Sequence, residues 1–280
     1  MIGLVTKKQS TLFEVVVDEK KFQCNARGNV KSRGINVGDN VEFNEDSLVI
    51  SNVQARKNIL IRPPMANLDK MFIVVCPKPK PDFYLVDKLI LFCSINNIKP
   101  IICANKVDLD ENFEREIKEN YEKYFEIVFC SAKLNMTKSL EEKIEGVCAF
   151  AGQSAVGKSS LINSIFKSNI EKVGDFGKKV ERGKQTTRVV TLYKMPKGFI
   201  ADTAGFSQLD ESLIDIDYRE LSRYYPDFYP YINECKYQTC DHTNDKDCKL
   251  IQAVKDGKVS RNRYENYLKL LSRKKSERRY

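Results

Sequence analysis

Over residues 1–62 apolar and polar positions alternate in short runs, at 2–6, 12–17, 21–26, 40–43, 48–53 and 58–61. Gly28, Gly34, Gly38 and Asp39 punctuate them. Period-two alternation broken by turn residues predicts strands, and strands this closely spaced predict a small β-barrel or sandwich. Arg62, Pro63 and Pro64 then predict a stiff boundary, because proline fixes its own φ and restricts the residue before it.

From residue 70 the rhythm changes. Compact apolar runs at 71–76, 100–104, 127–130, 147–151, 189–193 and 199–201 read as buried strands. Helical periodicity occupies 81–96, 111–124, 139–144 and 158–170. Strands alternating with helices predict a parallel sheet covered on both faces. Residues 171–188 are charged and contain glycines without apolar periodicity. A loop of that length inside a compact domain is often functional. Beyond about residue 208 the chain is Tyr-rich, then Cys/His-containing, then helical and basic. The expected division is a barrel-like domain at 1–63, an α/β domain at 64–209 and a helical domain at 210–280.

Of the 280 residues, 42% are hydrophobic and 30% charged, enough apolar content for buried cores. The longest apolar candidate, residues 85–98, is interrupted by Asp87, Lys88 and Asn96 and is shorter than the roughly 20 residues of a membrane helix. Residues 1–10 carry no signal-like apolar core. The expectation is a cytoplasmic protein with no membrane partner. Forty-seven Lys+Arg against 38 Asp+Glu give a net charge of +9. That excess fits either a solvated surface or a polyanionic partner. Nine cysteines cannot all pair within the chain. Cys76, Cys93, Cys103, Cys130 and Cys148 sit in apolar runs as reduced thiols do, which fits a reducing compartment.

Gly152-Gln153-Ser154-Ala155-Val156-Gly157-Lys158-Ser159 matches G-x-x-x-x-G-K-[ST] and is followed by Ser160. It lies between a predicted strand and a predicted helix, the context a phosphate-binding loop requires. Its glycines let successive N–H groups point inward at phosphate oxygens. Lys158 is expected on the β and γ phosphates and Ser159 on Mg²⁺. Asp202 and Gly205 open and close a D-x-x-G turn after the strand at 199–201, for Mg²⁺ and the γ-phosphate. Thr186 or Thr187, in the long loop, completes the Mg²⁺ shell.

Asn105-Lys106-Val107-Asp108 and Ser131-Ala132-Lys133 each follow a predicted strand. Strand C-terminal ends are where open α/β sheets bind ligands. The Asp108 carboxylate accepts from guanine N1–H and the 2-amino group. Adenine offers neither donor, so it leaves a desolvated carboxylate unpaired. Asn105 is expected near N7, Lys106 over the ring face and the Ala132 N–H at O6. In ordinary GTPases the phosphate loop comes first. Here it follows the Asn-Lys-Val-Asp motif by about fifty residues, the order of a circularly permuted domain.

Cys235, Cys240, His242 and Cys248 place three thiols and the single histidine of the chain within fourteen residues. This donor set suits one tetrahedral, structural Zn²⁺ per chain. Residues 261–280 carry eight Lys/Arg against two acidic residues, with Tyr and Leu interleaved. They read equally as a terminal helix with a solvated basic face and as a surface for RNA phosphates.

The order of these motifs behind a small β domain resembles the ribosome small-subunit-dependent GTPase A (RsgA) family across essentially the whole chain. The resemblance implies a multidomain α/β architecture: an N-terminal OB-fold-like barrel, a circularly permuted P-loop GTPase domain and a C-terminal zinc-binding helical domain. It implies a cytoplasmic GTP phosphohydrolase, cycling between GTP and GDP. The implied partners are the 30S ribosomal subunit and its 16S rRNA, and the role is late in subunit maturation, with the chain expected as a monomer. An RNA-binding module that uses GTP only as a regulatory ligand, with negligible turnover, is the alternative. Members of the family commonly carry His where this chain has Gln185 and Pro where it has Ala204. Phe206 follows Gly205, where Ras-like proteins carry a water-orienting Gln. Direct carry-over of a histidine's role fails at Gln185, but its amide can orient water without acting as a strong base, which makes Gln185 a candidate hydrolytic group; the competing reading is that it only contacts RNA while backbone groups hold the water.

Overall fold

The computed structural model describes residues 1–28, 30, 34–173, 190–202, 209, 213–244 and 246–277. Five strands form an N-terminal barrel: β1 (Ile2–Gln9), β2 (Leu12–Val17), β3 (Lys20–Ala26), β4 (Asn40–Asn44) and β5 (Val49–Val53). Their order is β1-β2-β3-β5-β4, and β4 pairs back onto β1 to close the sheet. Alternation does the sorting. Val5, Phe13, Val15, Cys24, Val41, Phe43 and Ile50 point inward and are almost fully buried. The ladder between β1 and β2 shifts register between Val5 and Lys7, and Lys7 then pairs with Thr191 of a later strand. That bulge lets one strand serve both the barrel and the next sheet.

The expected strand at 58–61 does not join the barrel. It is β6 (Ile59–Ile61), which pairs with β7 (Pro64–Ala66) as a separate hairpin. The prolines expected to mark a boundary lie in its turn and second strand, with a cis Arg62–Pro63 bond. Burial explains the difference. Leu60 and Met65 insert into the core beneath the α/β sheet and not into the barrel.

The second part of the chain builds β8 (Lys70–Val75), α1 (Phe83–Ile95), β9 (Lys99–Ala104), α2 (Phe113–Tyr121), β10 (Glu126–Phe129), α3 (Lys138–Glu141), β11 (Gly146–Ala151), α4 (Lys158–Val173), β12 (Thr191–Met195) and β13 (Gly198–Asp202). Strand order is β10-β9-β8-β11-β13-β12. The pairs β10–β9, β9–β8, β8–β11 and β11–β13 are parallel, as expected, while β12 runs antiparallel to β13. A short β12–β13 connection permits only the antiparallel pairing, since a parallel return needs a crossover. Successive residues of β8 feed opposite layers: Met71, Ile73 and Val75 face the α1 side, and Phe72 and Val74, with Cys76 just beyond the strand, the α4 side.

The C-terminal helices are α5 (Tyr229–Ile232), α6 (Lys249–Lys255) and α7 (Arg261–Glu277). Leu250, Ala253, Tyr267, Leu270 and Leu271 join the apolar cluster on the α1 face. Among the described residues, no helix is long and apolar enough to cross a membrane.

Candidate functional site

The phosphate loop leaves the central strand β11 and enters α4. Gly152 has φ +127°, and a Cβ there would sit 2.3 Å from the Val74 carbonyl oxygen. Gly157 has φ +97°, and its Cβ would sit 2.4 Å from Asn105 Nδ2. Both positions therefore need glycine for conformation and for close approach. Ala155 also takes a positive φ, +64°. Val156 is fully buried and anchors the loop in the α4-side core. Ser154, Ala155, Ser159 and Ser160 are exposed at the mouth of the loop. The Lys158 ammonium donates to the carbonyls of Gly152 (2.6 Å) and Gln153 (2.8 Å). Burial pulls its pKa below the ordinary lysine value.

The two base-side motifs, at the C-terminal ends of β9 and β10, meet this loop directly. Buried Asn105 donates from Nδ2 to the Val156 carbonyl at 2.9 Å and accepts from the Ala132 N–H at 3.3 Å. Lys106, at φ +59°, donates to the carbonyls of Ala155 and Lys78, each at 2.8 Å. The Ser131 hydroxyl donates to the Asp108 carboxylate at 2.6 Å and accepts from the Leu134 N–H. Ser131 is buried while Asp108 is exposed, so a buried hydroxyl aims an exposed acceptor. Val107 is half-buried, its N–H directed at the Cys130 carbonyl (3.4 Å), and Lys133 is exposed. The amide of Asn105, expected at the base, is thus also the strut that fastens the base-side loops to the phosphate loop.

Asp202 ends β13, next to the phosphate-loop strand; its side chain, with Gln185, Thr186, Thr187 and Gly205, lies outside the described residues.

Sequence reasoning missed two further contacts. Gln153 uses both ends of its amide: Oε1 accepts from the Asp82 N–H (2.8 Å) and Nε2 donates to the Lys80 carbonyl (3.1 Å). Asp82 in turn caps α1 by accepting from the Leu85 N–H. The phosphate loop is thereby tied to the start of α1. At the middle of α1, Asp87 pairs with Arg263 of α7, which also forms a two-pronged bridge to Asp227, both bonds 2.8 Å. All three side chains are buried, and Asn266 donates to Asp87 at 2.6 Å. The basic periodicity of residues 261–280 could not distinguish this buried arginine from its solvated neighbours.

The cysteine–histidine cluster forms as expected. The four ligand atoms lie within 4.8 Å of one another. Cys235 Sγ is 3.8 Å from Cys248 Sγ and 3.5 Å from His242 Nδ1, and Cys248 Sγ is 3.4 Å from that nitrogen. A tetrahedron with Zn–S near 2.3 Å and Zn–N near 2.0–2.1 Å requires edges of about 3.8 Å (S to S) and about 3.5 Å (S to N). The donor set and its spacing therefore fit zinc. Tyr264 donates to the His242 carbonyl (2.7 Å) and Tyr267 to that of Asp241 (2.8 Å), so α7 braces the ligand loop.

A family model described as RsgA GTPase matches residues 53–212, and one described as RsgA N-terminal domain matches residues 2–48. A protein of Clostridium acetobutylicum named small ribosomal subunit biogenesis GTPase RsgA is 38% identical, covering 100% of both chains. Its namesake in Ruminiclostridium cellulolyticum is 35% identical over 96% of this chain and 92% of that protein. The crystal structure of YjeQ from Thermotoga maritima superposes with a TM-score of 0.82 at 33% identity, covering 97% of each chain. That of YloQ, described as a circularly permuted GTPase, superposes with a TM-score of 0.80 at 29% identity, covering 99% of this chain and 95% of that one. With its phosphate loop and base-side motifs in permuted order, joined at the C-terminal ends of the strands, and with family models and relatives matching along its length, this chain belongs to the RsgA GTPase family.

Proposed function

We propose that this protein binds GTP with Mg²⁺, hydrolyses it to GDP and phosphate, and assists late maturation of the small ribosomal subunit. One observation carries the reading: Asn105 and Lys106 reach the carbonyls of Val156 and Ala155, so a guanine-reading loop and a phosphate-binding loop form one cleft. In it Asp108, steadied by Ser131, accepts from the guanine edge, and Lys106 and Lys133 flank the base. The loop 152–157 and the α4 N-terminus receive the phosphates. Lys158 swings from the loop carbonyls onto the β and γ oxygens. Ser159, with Thr186 or Thr187 and Asp202, would hold Mg²⁺, which would supply charge neutralisation to the phosphates. The cluster of Cys235, Cys240, His242 and Cys248 holds one structural zinc. The protein works as a monomer in the cytoplasm, on the 30S subunit and its 16S rRNA.

Phe206 cannot hydrogen-bond an attacking water, so intrinsic turnover is low and an external organiser is required. Lys178, Lys179, Arg182, Lys184 and Arg188 surround Gln185 in sequence and suit rRNA as that organiser. Gln185 then orients the water, and a switch threonine would be among the residues that hold Mg²⁺. Single-turnover hydrolysis with and without 30S subunits tests this: turnover rises with subunits. Equal, negligible turnover in both would favour a regulatory GTP ligand. At saturating subunit, Gln185→Ala lowers turnover with affinity nearly unchanged. Full stimulated turnover in that variant removes Gln185 from the mechanism.

A further inference from the structure

Three residues of the phosphate loop take a left-handed backbone: Gly152, Gly157 and Ala155, at φ +127°, +97° and +64°. The two glycines adopt it freely. Ala155 carries a Cβ, and a non-glycine residue stays left-handed only where its surroundings over-determine it. The curl has a use, since a left-handed residue turns successive N–H groups to one side and makes a concave anion nest.

On its C-terminal side Ala155 is held by the base-side loop. Lys106 donates to its carbonyl, and Asn105 to the next one, that of Val156. On its N-terminal side the hold comes from another element. Gln153 is half-buried, and both ends of its amide are engaged by the β8–α1 connection, residues 76–82: it accepts from the Asp82 N–H and donates to the Lys80 carbonyl. Neither end is left to reach a phosphate. Earlier in the same connection, the Lys78 carbonyl accepts from the Lys106 ammonium at 2.8 Å and from the Cys76 thiol at 3.0 Å. The contacts therefore close a ring that runs from Gln153 through the connection to Lys106, on to Ala155 and back along the loop. Apart from the Lys158 ammonium, the Gln153 amide is what fastens residues 153 and 154 among the described residues. On the GTP reading Lys158 leaves these carbonyls for the phosphates, so the hold through Gln153 is the one that persists with nucleotide bound.

We infer that Gln153 is a positioning residue for the nucleotide phosphates: by clasping the β8–α1 connection it keeps the loop curled at Ala155. It acts on the nucleotide through the loop backbone and not by contact. The inference rests on the GTP-binding reading above and gives the β8–α1 connection a part in it. Both bonds of the Gln153 amide lie at the surface. Bonds that exchange with water add little to folding. Their loss therefore falls on nucleotide affinity and not on the stability of the chain.

The test is equilibrium binding of Mg²⁺·GDP and of a non-hydrolysable GTP analogue to the full-length, zinc-loaded protein. Gln153→Met keeps the length of the side chain and removes both bonds. It should weaken both nucleotides about tenfold, the effect of one or two hydrogen bonds. The thermal midpoint of the nucleotide-free protein should stay where it is in wild type. Ala155→Gly removes the Cβ that makes the curl need support. Its gain in affinity should be about threefold or more larger in the Gln153→Met background than in wild type, so that it recovers part of what Gln153→Met loses. A purely structural glutamine would give no such coupling. Full affinity in Gln153→Met, with wild type binding normally, would overturn the positioning role alone. Equal effects of Ala155→Gly in both backgrounds would overturn the hold on Ala155. A nucleotide-free Gln153→Met that melts early or fails to fold would overturn the inference too, since the amide would then serve folding. Failure of the wild-type protein to bind guanine nucleotides would overturn the GTP reading and the inference with it.

Discussion

On the proposed reading, Asp108 is the side chain that accepts from the guanine edge. It is exposed, but the buried Ser131 hydroxyl 2.6 Å away holds one of its oxygens. Replacing it with Asn leaves one acceptor where guanine presents two donors, and brings an N–H that faces another donor. Loss of a hydrogen bond to a charged group costs about 1.5–3 kcal/mol, or roughly ten- to a hundredfold in affinity. Asp108→Asn should therefore weaken GTP binding by that factor and shift preference toward xanthine nucleotides, as read by competition titration. Unchanged guanine selectivity would remove Asp108 from the base site. Gly157 is constrained more tightly. An alanine there meets the Asn105 amide at 2.4 Å with φ at +97°. Strain of about 1–3 kcal/mol would be relieved by pushing Asn105 off the Val156 carbonyl. Gly157→Ala should lose nucleotide binding while thermal unfolding shifts only modestly, because the barrel and the helices on the α1 face are untouched.

At the scale of elements, α1 and α7 are joined by a bridge with two carboxylates and one guanidinium. Burial pushes the Asp87 carboxyl up to about 6, even with the Arg263 charge beside it. An unfolded Asp titrates near 4, so the native state holds this proton more tightly than the unfolded chain. The stability from that proton is fully present below about pH 4 and is lost as pH rises through about 6. Asp87→Asn removes the titration and leaves the neutral Arg263–Asp227 pair. Urea unfolding between pH 5 and 7 should show a flatter pH dependence in that variant than in wild type. Arg263→Met is the harsher change, since it strands two buried carboxylates, and should cost about 3–5 kcal/mol. If Arg263→Met costs less than Asp87→Asn at pH 7, the bridge is not what joins the two helices.

At the scale of the whole molecule, the ligand loop at 235–248 and α7 stand or fall together. Tyr264 and Tyr267 fasten α7 to the loop carbonyls, and the loop has little apolar content of its own. Cys240→Ser, or chelation of the wild type, should release one zinc per chain and raise hydrogen exchange in α6 and α7. GTP affinity should fall little, because the contacts described around the phosphate loop come from that loop, the segments after β9 and β10 and the β8–α1 connection, and none from residues 229–277. Elemental analysis showing no zinc in carefully prepared protein would sink the site. The sequence by itself determined the family, five barrel strands, the permuted order of the motifs and the cysteine–histidine cluster that the fold brings together. Each rests on short patterns whose chemistry needs particular residues at fixed local spacing, and that spacing survives in one dimension. It did not determine that β6 leaves the barrel for a hairpin, since period-two alternation says which side chains are buried and not against what. Nor did it reveal that Asn105 braces Val156 or that Gln153 holds Asp82. Asp87 and Arg263, 176 residues apart, became a buried pair only when α7 packed on α1. Local pattern encodes an element's faces; only packing decides which faces meet, and with them which charges of a basic helix are buried and which stay at the surface.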